Sequence, residues 1–195
     1  MKIKDVILQN NLEFSGGGTD KNSTHCYVDY FYEEAFEPYR DKKVSVLEIG
    51  ISGGYSLRLW REYFKNAKTI VGIDNRPEVV EQVNRSIPGV EYHFGDAYTQ
   101  EMVDKLPKFD IIIDDGNHWT DHQIKAMELY LPLLKKGGLY VIEDIQHGWP
   151  LEGHIKDPYG MLKSALPEEY TYVFHDLRDV SGRFDDSMMA IRHVE

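Results

Sequence analysis

The run Val46-Leu47-Glu48-Ile49-Gly50-Ile51-Ser52-Gly53-Gly54-Tyr55-Ser56 decides the fold. An apolar stretch enters a glycine-rich turn. Beyond it Leu59, Trp60, Tyr63 and Phe64 recur at the three- and four-residue spacing of a helix face. Glycines in such a turn let the main chain approach a ligand closely and leave the first N–H groups of the helix free to face it. Strand, glycine turn and helix in this order make one βα unit of a parallel sheet.

Outward from this unit the alternation continues. Apolar runs at 44–49, 69–73, 90–94, 109–114, 139–143, 170–175 and 187–192 predict seven strands. The first five have the continuous β-branched character of strands buried on both faces. The last two lie close enough for an antiparallel hairpin. Helices are expected around Val79, Val80 and Val83, and along Ile124, Met127, Leu131 and Leu134. Thr120 and Gln123 fit a capping box for the latter, and Gly137-Gly138 closes the connection into the fifth strand. The expected architecture is an α/β three-layer sandwich around a mostly parallel seven-stranded sheet.

At 195 residues, with 42% hydrophobic and 28% charged side chains, the chain suits one globular domain. Residues 1–43, polar and aromatic with a break at Gly16-Gly17-Gly18, read as a helical lid segment before a domain at 44–195. Within it Tyr27, Tyr30, Phe31, Glu34 and Phe36 predict a short aromatic helix before Pro38. No room is left for a separate substrate domain, so substrate choice falls to this segment and to the long connection between Ile145 and Tyr170. Cys26 is the only cysteine, which excludes an internal disulfide. Met1 to Leu8 carries no apolar run of signal-peptide length, and nothing approaches a membrane span, so a cytoplasmic protein is expected. The net charge of −11 weighs against a nucleic-acid substrate and favours a small molecule. Oligomeric state is unreadable, and a homo-oligomer stays open.

Acidic residues end the strands. Asp74 closes the second strand, where an acid can bind both hydroxyls of a ribose, and Asp96 ends the third, within reach of an adenine amino group. The turn reads Gly-x-x-Gly-Gly, not G-x-G-x-x-G, and Glu48 stands two residues before Gly50. A carboxylate there suits a ligand with an amino group and sits poorly beside a pyrophosphate. Asp114 and Asp115 follow the fourth strand, Glu143 and Asp144 the fifth. Adjacent strands lie about 4.8 Å apart, so four carboxylates would crowd one edge. Like charges resist ionising together, and a hard divalent cation relieves them. Alternation along a strand should separate Asp114 from Asp115, and Glu143 and Asp144 can share an ion only if the chain turns between them.

The Glu48–Gly54 run, with Asp74 and Asp96, resembles motif I and the following acids of class I S-adenosylmethionine (SAM) dependent methyltransferases, which have a Rossmann-like fold. The likeness spans roughly residues 16 to 192. Asp115-Gly116-Asn117-His118 with Ile142-Glu143-Asp144, and the stretch from Gly18 to Tyr27, narrow it further. They resemble the metal-dependent sugar O-methyltransferases of macrolide tailoring and the related cephalosporin hydroxylase-like group. The resemblance implies that Glu48, Gly50, Ser52 and Gly53 surround the methionine part of SAM, Asp74 the ribose and Asp96 the adenine. It also places Thr19, Asp20, Lys21 and Asp114 around the cofactor, although Asp114 equally suits a helix cap. Mg²⁺, or another hard divalent cation, falls to Asp115, Glu143 and Asp144, with His118 as base. Asn117 stands where that family has serine, and the family's large N-terminal region has no counterpart here.

Methyl transfer from a sulfonium is an in-line displacement, so the protein's task is positioning and exclusion of water. An alcohol is a poor nucleophile near neutral pH, and a bound dication lowers its pKa and orients it. His118, with an ordinary pKa of about 6.5, is placed to take the proton. His122, one helical turn on, is the competing base. His147 is expected in the substrate pocket and His25 in the lid; Tyr27, Tyr30 and Trp149 suit either a cover over the ligands or the core. Three other readings stay open: an NAD(P)-dependent oxidoreductase, a nucleic-acid methyltransferase and a non-catalytic SAM-binding subunit. The Asn/Asp-Pro-Pro-aromatic motif of base methyltransferases is missing after strand four, and no iron-binding facial triad is evident.

Overall fold

The computed structural model describes residues 1–13, 18–78, 87–147 and 157–193. Seven strands among them form one sheet: β1 (Ser45–Ile49), β2 (Thr69–Asp74), β3 (Glu91–Phe94), β4 (Phe109–Asp114), β5 (Leu134–Ile142), β6 (Tyr170–Asp176) and β7 (Ser187–His193), in the order β3-β2-β1-β4-β5-β7-β6. β1 to β5 pair in parallel. β7 runs antiparallel to both β5 and β6, so it is the reversed strand, wedged between them. β1 and β4 occupy the middle of the sheet, and every residue of β1 is buried, Ser45 and Glu48 included.

The described helices are α1 (Ile3–Gln9), α2 (Glu33–Phe36), α3 (Tyr55–Tyr63), α4 (Gln100–Val103), α5 (Thr120–Tyr130), α6 (Pro158–Ala165) and α7 (Arg178–Ser181). Alternation along the strands divides the core in two. Val46, Ile111, Ile113, Leu139 and Val141 face one layer with Trp60, Phe64 and the N-terminal residues, while Leu47, Ile49, Ile112, Tyr140 and Ile142 face the other with Met127 and Tyr130 of α5. None of the described helices is long and apolar enough to cross a membrane.

Structure and expectation differ at the capping box, at Gly137-Gly138 and in the connection before β6. Among the described residues of the N-terminal segment, Ile3, Val6, Ile7, Tyr27, Tyr32 and Phe36 are buried in the first core, where their apolar area leaves water. The aromatic helix before Pro38 exists as a π turn over Val28–Tyr32 followed by α2. The capping box is absent: Thr120 is already helical, and the Gln123 side-chain amide instead donates to the carbonyl of Glu143 at 3.0 Å. A buried carbonyl past the end of β5 needs a donor, and that need outweighs a cap. Gly137 and Gly138 lie inside β5, at a shift in its pairing with β4, where Gly137 takes φ +69°. The connection before β6 contains α6, whose Asp157 cap and buried Leu162 fix it against α5. Val79, Val80, Val83 and Trp149 lie outside the described residues.

Candidate active site

A cavity of about 770 Å³ opens at the carboxyl ends of β1, β2 and β4, the edge where open α/β sheets take ligands. The glycine turn forms its floor. Gly50 has φ +78°, and a Cβ there would come within 2.1 Å of the Asp115 carbonyl oxygen, so only glycine fits. Gly50, Ser52 and Gly53 all line the cavity, as do Thr19, Asp20 and Lys21. Asp74 lines it too; its carboxylate accepts the Ile51 N–H at 3.2 Å and two side-chain N–H groups of Arg76 at 2.8 and 2.9 Å. Burial would raise its pKa, but these donors outweigh burial and hold it below the usual carboxylate range. Asp96 stands exposed on the far wall, accepting the Tyr98 N–H.

Two residues assigned to the cofactor, Glu48 and Asp114, do not line the cavity. Glu48 is fully buried behind the turn and accepts from the Ser56 hydroxyl at 2.7 Å. Burial pushes its pKa up to about 7 against the pull of Lys21. The amino group it faces belongs to the protein: Lys21 Nζ, 3.5 Å away. Asp114 is also buried behind the cavity wall, with Gly116 N–H on one oxygen and its pKa raised by burial to about 7. It caps the turn after β4 and no helix.

The four strand-end acids separate into two groups. The chain turns at Asp144, which takes φ +52° and lines the cavity. Asp115, His118 and Asp144 converge there, with one donor atom from each lying within 4.8 Å of the others. His118 Nε2 is 3.5 Å from Asp115 Oδ1 and 3.5 Å from Asp144 Oδ2. Burial opposes protonation of His118, but the two carboxylates carry its pKa up to about 9. Glu143 shares the Lys21 ammonium with Asp115. It meets Lys21 Nζ at 2.5 Å and accepts from the Tyr32 hydroxyl. Of the expected trio of Asp115, Glu143 and Asp144, Glu143 stands outside this cluster, its oxygens engaged by Lys21 and Tyr32.

Sequence reading missed these buried partners. Tyr27 donates to Asp144, and Tyr32 to Glu143, both from the N-terminal segment. Their signal was general: a buried carboxylate requires donors or cations. His25 contacts Asp186 in the core and stacks on Tyr27, and does not form a lid. His147 is tied to Ser187 at 3.1 Å and does not line the cavity. His122 does line it, against Tyr98. Tyr27 belongs to the core, whereas Tyr30 is exposed.

Comparison with known proteins gives the family and the fold. The family described as methyltransferase domain matches residues 47–145. An 8-demethyl-8-alpha-L-rhamnosyl tetracenomycin-C 2'-O-methyltransferase of Streptomyces olivaceus is 36% identical over 141 residues, covering 68% of this chain and 37% of that protein. The demethylmacrocin O-methyltransferase of Streptomyces fradiae is 35% identical over 189 residues, covering 88% of this chain and 46% of that one. The chain thus spans less than half the length of these relatives. A methyltransferase from the mycinamycin biosynthetic pathway, solved with Mg, SAH and mycinamycin VI, superposes with a TM-score of 0.76 at 23% identity, over 100% of this chain and 55% of that one. It has the same fold.

Proposed function

The chain belongs to the methyltransferase-domain family, and from that membership we propose that it is a SAM-dependent O-methyltransferase acting on a hydroxyl of a sugar or glycosylated natural product. The observation that carries this reading is the meeting of Asp115, His118 and Asp144 on the wall of the cavity floored by the glycine turn. The relatives' names supply the substrate class, since they methylate sugar hydroxyls of natural products.

SAM would lie along Gly50 to Gly53, with its ribose hydroxyls on Asp74 and its adenine by Asp96. Asp74 already accepts from Arg76, so ribose hydroxyls must share or displace that partner. Water leaves as the cavity fills, which strengthens every polar contact in it. Asp115 and Asp144 present oxygens suited to Mg²⁺ or another hard divalent cation, and Glu143 stands next to them, engaged with Lys21. Such an ion would lower the pKa of an acceptor hydroxyl and orient it.

His118 is the group that takes the hydroxyl proton. It can do so only when the negative charge of Asp115 and Asp144 is offset, because those carboxylates otherwise keep its ring protonated. The phenols of Tyr27 and Tyr32 hold Asp144 and Glu143 in place by donating to them. Calorimetry with SAM and with NAD, followed by transfer of labelled methyl from SAM to a panel of glycosides with and without chelator, tests the proposal. SAM binding and chelator-sensitive transfer are expected. Binding of NAD in place of SAM would refute it.

A further inference from the structure

Alternation along the strands puts Glu48, Asp115 and Glu143 on the face that meets the N-terminal segment, and one cation serves all three. Lys21 Nζ lies 2.7 Å from Asp115 Oδ2, 2.5 Å from Glu143 Oε2 and 3.5 Å from Glu48 Oε1. The side chain is 1% exposed. We propose that Lys21 is a resident cation that competes with the divalent ion for Asp115 and Glu143, so that the N-terminal segment sets the affinity of the ion site. The inference rests on the ion-assisted reading above.

The physical case has three parts. Asp115 uses one oxygen for Lys21 and turns the other toward His118 and the cavity, so an ion bound to Asp115 shares that carboxylate with an ammonium. Two cations on one carboxylate repel strongly where water is excluded. Glu143 can join the ion only by giving up Lys21, its nearest counter-charge. Nor can the lysine withdraw freely. Its carbonyl accepts the Val28 N–H at 3.1 Å, and the preceding Asp20 carbonyl accepts three N–H groups, from Ser23, Thr24 and His25. The segment is braced with the ammonium in place, so every ion that enters does so against it.

Lys21 acts through the carboxylates and is a positioning residue. The test is Mn²⁺ binding, followed by electron paramagnetic resonance of the free ion, in the wild-type chain, Lys21→Met and Lys21→Arg. Lys21→Met should bind Mn²⁺ at least about tenfold more tightly, and Lys21→Arg should return toward the wild-type value. Mn²⁺ should also raise the melting temperature of Lys21→Met by more than that of the wild type. A Lys21→Met chain that folds only with Mn²⁺ present supports the competition, and one still unfolded at saturating Mn²⁺ overturns it. Equal or weaker binding by Lys21→Met, with no larger thermal shift, also overturns it. Wild-type binding that Asp144→Asn abolishes, with Lys21→Met unchanged, would spare the ion site and sink the role of Lys21. No Mn²⁺ binding by any of the chains would sink both.

Discussion

Two acid clusters lie side by side at the ends of β4 and β5, with opposite fates. In the inner one, Glu48 and Glu143 face the core, and the protein itself supplies their partners: Lys21, Ser56 and Tyr32. In the outer one, Asp115 and Asp144 turn oxygens toward an open cavity and meet across His118. The residues are chemically alike and separated by one position in the chain at Glu143 and Asp144. What differs is direction. An acid on the core face must be neutralised for the fold to form, whereas an acid at the cavity can leave that task to a ligand. Structure and chemistry are divided between the clusters in this way, and Asp115 belongs to both.

The comparison can be broken first at Asp115. Asp115→Ala should lower turnover by about a thousandfold, the scale of the several kcal/mol that a metal site contributes. SAM binding, proposed to rest on the glycine turn and Asp74, should stay within a few-fold of wild type by calorimetry. Comparable loss of both would mean that the outer cluster is structural like the inner one. Next in size, Lys21→Met measured in chelator should cost about 3–5 kcal/mol of unfolding free energy, because it strands buried carboxylates. Urea titration reads this directly, and a loss below about 1 kcal/mol would show the inner cluster to be well hydrated.

Smaller effects sharpen the boundary. Gln123→Leu removes the donor to the Glu143 carbonyl and should cost about 1–3 kcal/mol, measured in the same titration. The remaining effect is read in pH dependence. Glu48 has its folded pKa raised from 4.5 to about 7, so the stabilising effect of its proton is complete below 4.5 and lost as pH rises through 7. Glu48→Gln should therefore flatten the fall in melting temperature over that window. An unchanged slope would place the titration elsewhere.

Much of this arrangement was legible in the sequence. Strands buried on both faces read as unbroken apolar runs, so β1, β2 and β4 stood out, and the glycine turn located the cavity. Alternation also separated Asp114 from Asp115, since the first is buried and the second faces the cavity. The ion-pair partner of Glu143 was not legible, because Lys21 lies 122 residues away in sequence and nothing local marks a lysine for burial. Nor was the turn at Asp144, where a non-glycine residue takes a left-handed backbone against local preference. The Thr120–Gln123 pattern misled for the opposite reason: it fits a local motif, but Gln123 answers to a carbonyl 20 residues on.

A crystal structure with S-adenosylhomocysteine and Mg²⁺ tests the central claim most directly. An ion bound by both Asp115 and Asp144 at about 2.1 Å, with the cofactor's sulfur pointing toward it from the glycine turn, is the expected result. Cofactor in place with no ion between those carboxylates, at saturating Mg²⁺, would contradict it.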